Sequence, residues 1–161
     1  MAELTPKGAK IAQLSGKELA AHGKALLSGS ENVMDYTTGV CYTAAAFAAF
    51  AAGSKKISAA DLAKIQHKGW EKKFKAKSGK KWDGKKSISP GKIVAFIRVR
   101  DDQQFHFAVS CGGTKVRGVN GLKLGAGWTD QADIKKVLKE PDADGQFDYD
   151  GGKIEVWICP V

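Results

Sequence analysis

The hydrophobic pattern of this chain changes its period near residue 92, and this change most constrains the fold. Before that point the apolar residues recur with helical spacing, which predicts helices over 14–29, 41–53 and 57–77. Beyond it, β-branched and aromatic runs alternate between turns, which predicts strands over 92–100, 104–111, 114–120 and 153–161. One further helix is predicted over 129–140. Helices followed by an antiparallel sheet predict an α+β fold.

Local signals support these boundaries. Ser58 followed by Asp61 is a capping pair near the start of the 57–77 helix. Thr129 or Asp130 is the predicted cap of the 129–140 helix, which must end before Pro141. The glycine- and lysine-rich stretch 78–91 is predicted to be a loop.

The composition is that of an ordinary globular protein, with 43% hydrophobic and 27% charged residues. We therefore expect residues 1–161 to form a single domain. No window reaches the roughly 18 apolar residues of a membrane helix. The start "MAELTPKGAK" lacks a basic-then-apolar order, so we expect no Sec-type signal peptide.

The chain has three cysteines, Cys41, Cys111 and Cys159. Their odd number and their spacing argue against a disulfide framework and against a zinc site. We therefore expect free thiols in a reducing cytosol, no metal and no cofactor.

Positive charge is concentrated in residues 55–100, called here the basic block. It holds fifteen of the 26 Lys and Arg residues and only three acids, Asp61, Glu71 and Asp83. Such a block accelerates encounter with an acidic protein surface, an anionic membrane or nucleic acid, and it also serves as a solubilising face.

Cys41 begins the alanine-rich segment "CYTAAAFAAFAAG". A thiol at a helix N-terminus faces unpaired N–H groups and the positive end of the helix dipole, which favour the thiolate. The alanines would let this helix lie close to the sheet. These features predict that Cys41 is a nucleophile, whereas Cys111 and Cys159 are predicted to be core residues.

His106 is the histidine best placed to serve this nucleophile. In "QFHFAVSC" the alternation puts Phe105, Phe107 and Val109 on one face, and His106 and Ala108 on the other. The small residue beside His106 predicts room on that face for a substrate and for the cysteine helix. His22 and His67 lie on predicted amphipathic helices instead.

A cysteine on a helix, a later histidine on a strand and a third polar residue follow the chain order of papain-like enzymes. Three residues are candidates for the third position. They are Asn120, Asp130 and Asp148. Asp130 also has a role as a helix cap, and Asn120 is also a good turn residue.

The segments "GVCYTAAAF", "FHFAVS" and "GQFDYDGG", in this order, resemble the TecA-like effectors, type VI-secreted deamidases of Rho-family GTPases. The resemblance covers essentially the whole chain. It implies a papain-like fold, with Cys41 as nucleophile, His106 as base and Asp148 as orienting acid. It also implies export without a Sec signal, delivery into the host cytosol and conversion of a switch I asparagine to aspartate. The glutamine of the papain oxyanion hole has no clear equivalent, Asn32 and Asp35 being the nearest polar residues.

Two alternative functions fit the same sequence. The first is a peptidoglycan amidase or a cysteine protease that uses the same chemistry. The second is a nucleic-acid-binding domain in which Trp70, Phe74 and Trp82 of the basic block stack on bases. In a folded domain these aromatic residues more often form the apolar face of a helix, so no dedicated nucleic-acid partner is expected.

Overall fold

The computed structural model describes residues 3–161, with most helices in the first half of the chain and most strands in the second. The helices are α1 (Pro6–Ile11), α2 (Gly16–Ser28), α3 (Cys41–Ala51), α4 (Ala59–Lys64), α5 (Gly69–Phe74) and α6 (Ile134–Leu138). The strands are β1 (Lys80–Lys81), β2 (Ile93–Arg98), β3 (Gln104–Gly112), β4 (Lys115–Arg117), β5 (Ala132–Asp133), β6 (Phe147–Tyr149) and β7 (Gly152–Ile158). Short 3₁₀ turns lie between several of them.

The strands form one sheet in the order β1-β7-β2-β3-β4-β5, and β6 also pairs with β7. Every pairing among the described residues is antiparallel. This arrangement confirms the predicted α+β class. The predicted hairpins after Arg100 and after Cys111 are the β2–β3 and β3–β4 connections.

Each face of the sheet is covered by its own hydrophobic cluster. On one face Phe107 and Val109 of β3 pack with the buried alanines of α3. On the other face Ala108 packs with Val94 and Phe96 of β2. Burial of apolar surface on both sides explains why β2 and the middle of β3 are almost continuously apolar.

Helix α3 lies in the interior, and most of its residues are buried. Its alanines allow close approach on two sides, to β3 and to α2. A Cβ atom on Gly23 of α2 would lie 2.2 Å from the carbonyl oxygen of Ala51, so the two helix backbones are in direct contact there. Cys41 is the first residue of this helix, as the sequence predicted.

The predicted helix over 57–77 is divided into α4 and α5. The Ser58–Asp61 capping box forms at the start of α4. Between the two helices His67 has a φ of 47°, and its backbone N–H donates to Oε1 of the buried Glu3 at 2.8 Å. A partner 64 residues away therefore satisfies a backbone group that a continuous helix would have used.

The helix predicted over 129–140 is also shorter than expected. Residues 132–133 pair with β4 and are therefore extended, so α6 begins only at Ile134. Asp133, rather than Thr129 or Asp130, is its N-cap and accepts the N–H of Lys135. None of the helices within residues 3–161 has the length and apolarity needed to cross a bilayer.

Candidate active site

Cys41 lies at the N-terminus of α3, where its sulfur meets the backbone of β3. The residue is buried, with 7% of its surface exposed, while the preceding Val40 is 41% exposed. The backbone N–H groups of Phe107, Tyr42 and Cys41 itself lie close enough to the sulfur to lower the pKa of the thiol.

The electrostatic balance at this thiol differs from the sequence expectation. Burial raises the pKa of Cys41, because a thiolate loses hydration in the interior. The N–H groups of Phe107, Tyr42 and Cys41 lower that pKa, but burial outweighs them. The prediction that the position at the helix N-terminus lowers the pKa of Cys41 is therefore wrong, and the resting group is a protonated thiol.

His106 is on β3 and points into the face of the sheet that carries Ala108. Its side chain is almost fully buried and stacks on Phe96, with ring centroids 5.4 Å apart. Nε2 lies 2.9 Å from the carbonyl oxygen of Leu124. A carbonyl oxygen only accepts, so Nε2 carries the proton and Nδ1 has the free lone pair.

The segment 118–125 covers this imidazole with backbone atoms. A Cβ atom on Gly121 would lie 2.2 Å from Nε2 of His106, and one on Gly118 would lie 3.0 Å from it. The segment is held by hydrogen bonds from Gly121 N–H to the carbonyl of Gly125 and from Asn120 N–H to that of Ala126. Glycine is required where the chain passes so close to a ring.

Nδ1 of His106 is buried and has no hydrogen-bond partner among the described residues. Burial lowers the pKa of His106 to about 4, although the hydrogen bond to Leu124 acts in the opposite direction. The imidazole is therefore neutral at physiological pH, and the lone pair of Nδ1 is free but enclosed by the protein.

Cys41 lies near the backbone of Phe107, the residue that follows His106 in β3, but it forms no hydrogen bond with His106. The aromatic ring of Phe107 packs on Tyr42 of α3, with centroids 5.2 Å apart, so α3 lies on the Phe107 face. His106 belongs to the other face. The expectation that the cysteine helix packs on the His106 face is therefore corrected, because the larger Phe107 and Val109 side chains form the apolar surface that α3 buries.

Asp148 does not contact His106 in this structure. It lies on β6 with 87% of its side chain exposed, and its carboxylate pairs with Lys153 at 2.9 Å. Nε2 of His106 donates to the Leu124 carbonyl, and Nδ1 has no partner among the described residues. The geometry therefore does not support Asp148 as the residue that orients the imidazole. The backbone carbonyl of Leu124 orients it instead.

The two other candidates for the third position do not bond to the imidazole either. Asn120 is exposed, with a φ of 60°, and precedes Gly121 in the segment that covers the ring. Asp130 is exposed and lies outside α6. Asn120 is therefore closer in the sequence than Asp130 to Gly121 and Leu124, which contact His106.

Two acidic residues near the thiol were not recognised from the sequence. Burial raises the pKa of Tyr42, and the negative charge of Glu71 on α5 raises the pKa of Tyr42 and of Cys41 further. Oε1 of Glu71 is buried without a hydrogen-bond partner among the described residues. Glu3 accepts a hydrogen bond from the Thr43 hydroxyl in the first turn of α3, at 2.8 Å. Neither residue belongs to a motif, and both reach the site through tertiary packing alone.

Neither of the polar residues that the sequence suggested, Asn32 and Asp35, completes an oxyanion hole in this structure. Oδ1 of Asn32 accepts the N–H of Met34 at 3.0 Å and caps a 3₁₀ turn over Val33–Asp35. Asp35 lies within that turn. The backbone N–H of Cys41 is therefore the donor that the geometry offers to a developing oxyanion. Within residues 3–161, no three metal-ligating side chains converge on one point.

The aromatic residues of the basic block are not available for base stacking. Trp70, Phe74 and Trp82 are all buried in the two hydrophobic clusters. Trp70 stacks on Phe74, and Trp82 stacks on Phe147. The side chains that the nucleic-acid hypothesis required therefore form the core.

Comparison with known proteins adds no assignment to this geometry. No protein-family model matches the chain, and no curated protein sequence matches it significantly.

Proposed function

We propose that this protein is a papain-like cysteine amidohydrolase that deamidates a side-chain carboxamide, with Cys41 as nucleophile and His106 as general base. The observation that supports the proposal is that α3, which begins with Cys41, packs directly on β3, the strand that carries His106 with a free lone pair on Nδ1. A thiol and an unprotonated imidazole are the two groups that thiol-dependent acyl transfer needs, and in this structure they lie on opposite faces of β3.

The first half of the reaction forms a thioester. Nδ1 of His106 takes the proton of the Cys41 thiol, and the thiolate attacks the carboxamide carbon. Because Cys41 lies on the Phe107 face of β3 and His106 on the other, this transfer requires a rearrangement of the chain around His106 when substrate binds. The N–H of Cys41 stabilises the oxyanion. The imidazolium then donates its proton to the departing amine, which leaves as ammonia.

The second half releases the product. Water gives a proton to Nδ1 and attacks the thioester carbon, and the Cys41 sulfur leaves and recovers the proton. The product carries a carboxylate where the substrate carried an amide. Throughout, the carbonyl of Leu124 keeps the Nε2 proton in place and stabilises the imidazolium, the role that an Asp or Asn side chain has in other triads.

The substrate proposal is a Rho-family GTPase in a host cell, reached by type VI secretion. It rests on the resemblance of "GVCYTAAAF" and "FHFAVS" to TecA-like deamidases. The exposed Val40 marks the side from which a protein substrate would approach the thiol. A new carboxylate in switch I would disturb nucleotide and effector contacts and so inactivate the GTPase.

The test is intact-mass and peptide mapping of purified Rho GTPases after incubation with the protein. We expect a mass increase corresponding to one amide-to-acid conversion in switch I, and its loss with Cys41→Ser or His106→Gln. Cys111→Ser is the matched control, because that thiol lies near the end of β3 whereas His106 lies near its start. Hydrolysis of purified peptidoglycan or of a peptide panel, with no change in the GTPases, would instead support the amidase or protease alternative. No Cys41-dependent hydrolysis of any of these substrates would overturn the proposal.

A further inference from the structure

A cavity of about 630 Å³ lies at the β1 edge of the sheet. Most of its lining residues belong to the basic block, and neither Cys41 nor His106 is among them. Its walls are the segment 78–83, the turn 86–89, Lys92 and the end of β7 at 158–160. This volume is within the range of small-molecule sites.

Lysine side chains contribute to the wall of this cavity, although most of its lining surface is apolar. Four lysines contribute to it, namely Lys80, Lys81, Lys86 and Lys92, against the single carboxylate of Asp83. Lys81 pairs with Glu155 at 3.0 Å. Within residues 3–161, the other three lysines form no ion pair. An ammonium group without an acidic partner is free to bind an anion.

Three hydroxyl groups accompany these lysines. Ser78, Ser87 and Ser89 line the same cavity, and none of their hydroxyls forms a hydrogen bond to another described residue. Hydroxyls and ammonium groups together donate to the oxygens of a phosphate, and lysine binds phosphate as a compact charge. The side chain of Ile158 adds an apolar part to the wall.

The walls are fixed by backbone hydrogen bonds, so the cavity exists before any ligand binds. The carboxylate of Asp83 accepts the N–H groups of Lys85 and Lys86 at 2.9 and 2.8 Å. The indole N–H of Trp82 donates to the carbonyl of Lys86, and the N–H of Ile88 donates to that of Gly113. A preformed site loses less conformational entropy on binding.

We propose that this cavity binds a small phosphate ester through Lys80, Lys86 and Lys92. The phosphate is either that of a soluble nucleotide or that of a lipid headgroup, since both present the same oxygens. Such a site gives part of the basic block a defined ligand instead of a general role in solubility. It is independent of the proposed hydrolysis, because its lining includes neither Cys41 nor His106.

The experiment titrates the folded protein with three probes, namely ATP, inorganic pyrophosphate and vesicles containing phosphatidylinositol 4-phosphate. The readouts are backbone amide chemical shifts and calorimetric affinity at low salt. We expect ATP or pyrophosphate, or the vesicles, to shift the amides of residues 78–92. The triple variant Lys80→Gln/Lys86→Gln/Lys92→Gln should lose about tenfold or more in affinity, because it removes charged hydrogen bonds.

The matched control is Lys10→Gln/Lys17→Gln/Lys24→Gln, which changes the net charge equally at exposed positions of the first two helices. It should leave the affinity nearly unchanged. Binding by ATP alone would identify a soluble ligand, and binding only to vesicles would identify a headgroup. Equal losses in both triple variants would overturn the proposal in favour of non-specific charge attraction. An absence of shifts in residues 78–92 with every probe at millimolar concentration would also overturn it.

Discussion

Nε2 of His106 donates a hydrogen bond to the carbonyl oxygen of Leu124 at 2.9 Å, and this contact fixes which ring nitrogen is free. The partner is a backbone group in a glycine-rich segment, so the orientation of the imidazole depends on the path of the chain. Nδ1 is left buried with an open lone pair.

Gly121→Ala should reduce deamidation by about a hundredfold, because a Cβ atom there would displace the ring or the segment that positions it. The measurement is the rate of amide conversion in the proposed GTPase substrate. Gly127→Ala is the control, since a Cβ atom at that position has nothing within 4 Å. If the two variants are equally active, the segment does not position His106.

Asp148→Ala should leave both the rate and the titration of His106 unchanged, because the Asp148 carboxylate is exposed and paired with Lys153. The readouts are the rate of deamidation and the NMR titration of the His106 ring. The companion variant Lys153→Ala tests whether the ion pair matters by itself. A large loss of activity with Asp148→Ala alone would restore the orienting role that the sequence resemblance implies.

The stability of the protein should decrease on acidification from about pH 6.5 to about pH 4, partly through His106. The pKa of this group is about 4 in the folded protein and 6.5 in the unfolded chain, so the unfolded chain binds more protons in that interval. This contribution to the free energy of unfolding is complete above pH 6.5, the pKa in the unfolded chain. It is lost as pH falls through the folded pKa of about 4, and the total loss is about 3 kcal/mol.

Urea unfolding at several pH values measures this loss. His106→Gln should show a shallower dependence on pH than the unsubstituted protein. His67→Gln is the comparison at an exposed histidine, whose ring lies 3.6 Å from the Glu3 carboxylate. Identical pH dependence in His106→Gln and in the unsubstituted protein would mean that His106 is not buried as a neutral ring.

Glu71→Gln should lower the pKa of Cys41, because the negative charge of Glu71 raises it. We expect alkylation of Cys41 by iodoacetamide to begin at lower pH in this variant, as read by peptide mapping across a pH series. Glu18→Gln on α2 is the control, with an exposed carboxylate. An unchanged Cys41 profile in Glu71→Gln would show that the two groups do not interact.

The hydrophobic periodicity of the sequence was enough to predict helices and strands wherever that periodicity was strong. Cys41 begins a helix, as its position before a run of alanines indicated, and the four predicted strands form the centre of the sheet. The alternation in β3 correctly separated Phe107 and Val109 from His106 and Ala108. Periodicity is a property of neighbouring residues, so it is readable without the fold.

Long-range contacts decided the rest. Phe105 lies beside Phe96 and Tyr149 rather than beside Phe107, because the β2–β3 register shifts after Phe96. The carboxylate of Glu3 interrupts a helix at His67, a residue far along the chain. No local pattern reports such pairings.

The candidate site shows the same division. Sequence patterns selected Cys41 and His106 from their positions in a helix and a strand. They could not assign the group that holds the imidazole, because Leu124 contributes only a carbonyl oxygen, which every residue has. They also could not give the pKa of Cys41, because the depth of burial that opposes the helix N-terminus exists only once α3 is packed against β3.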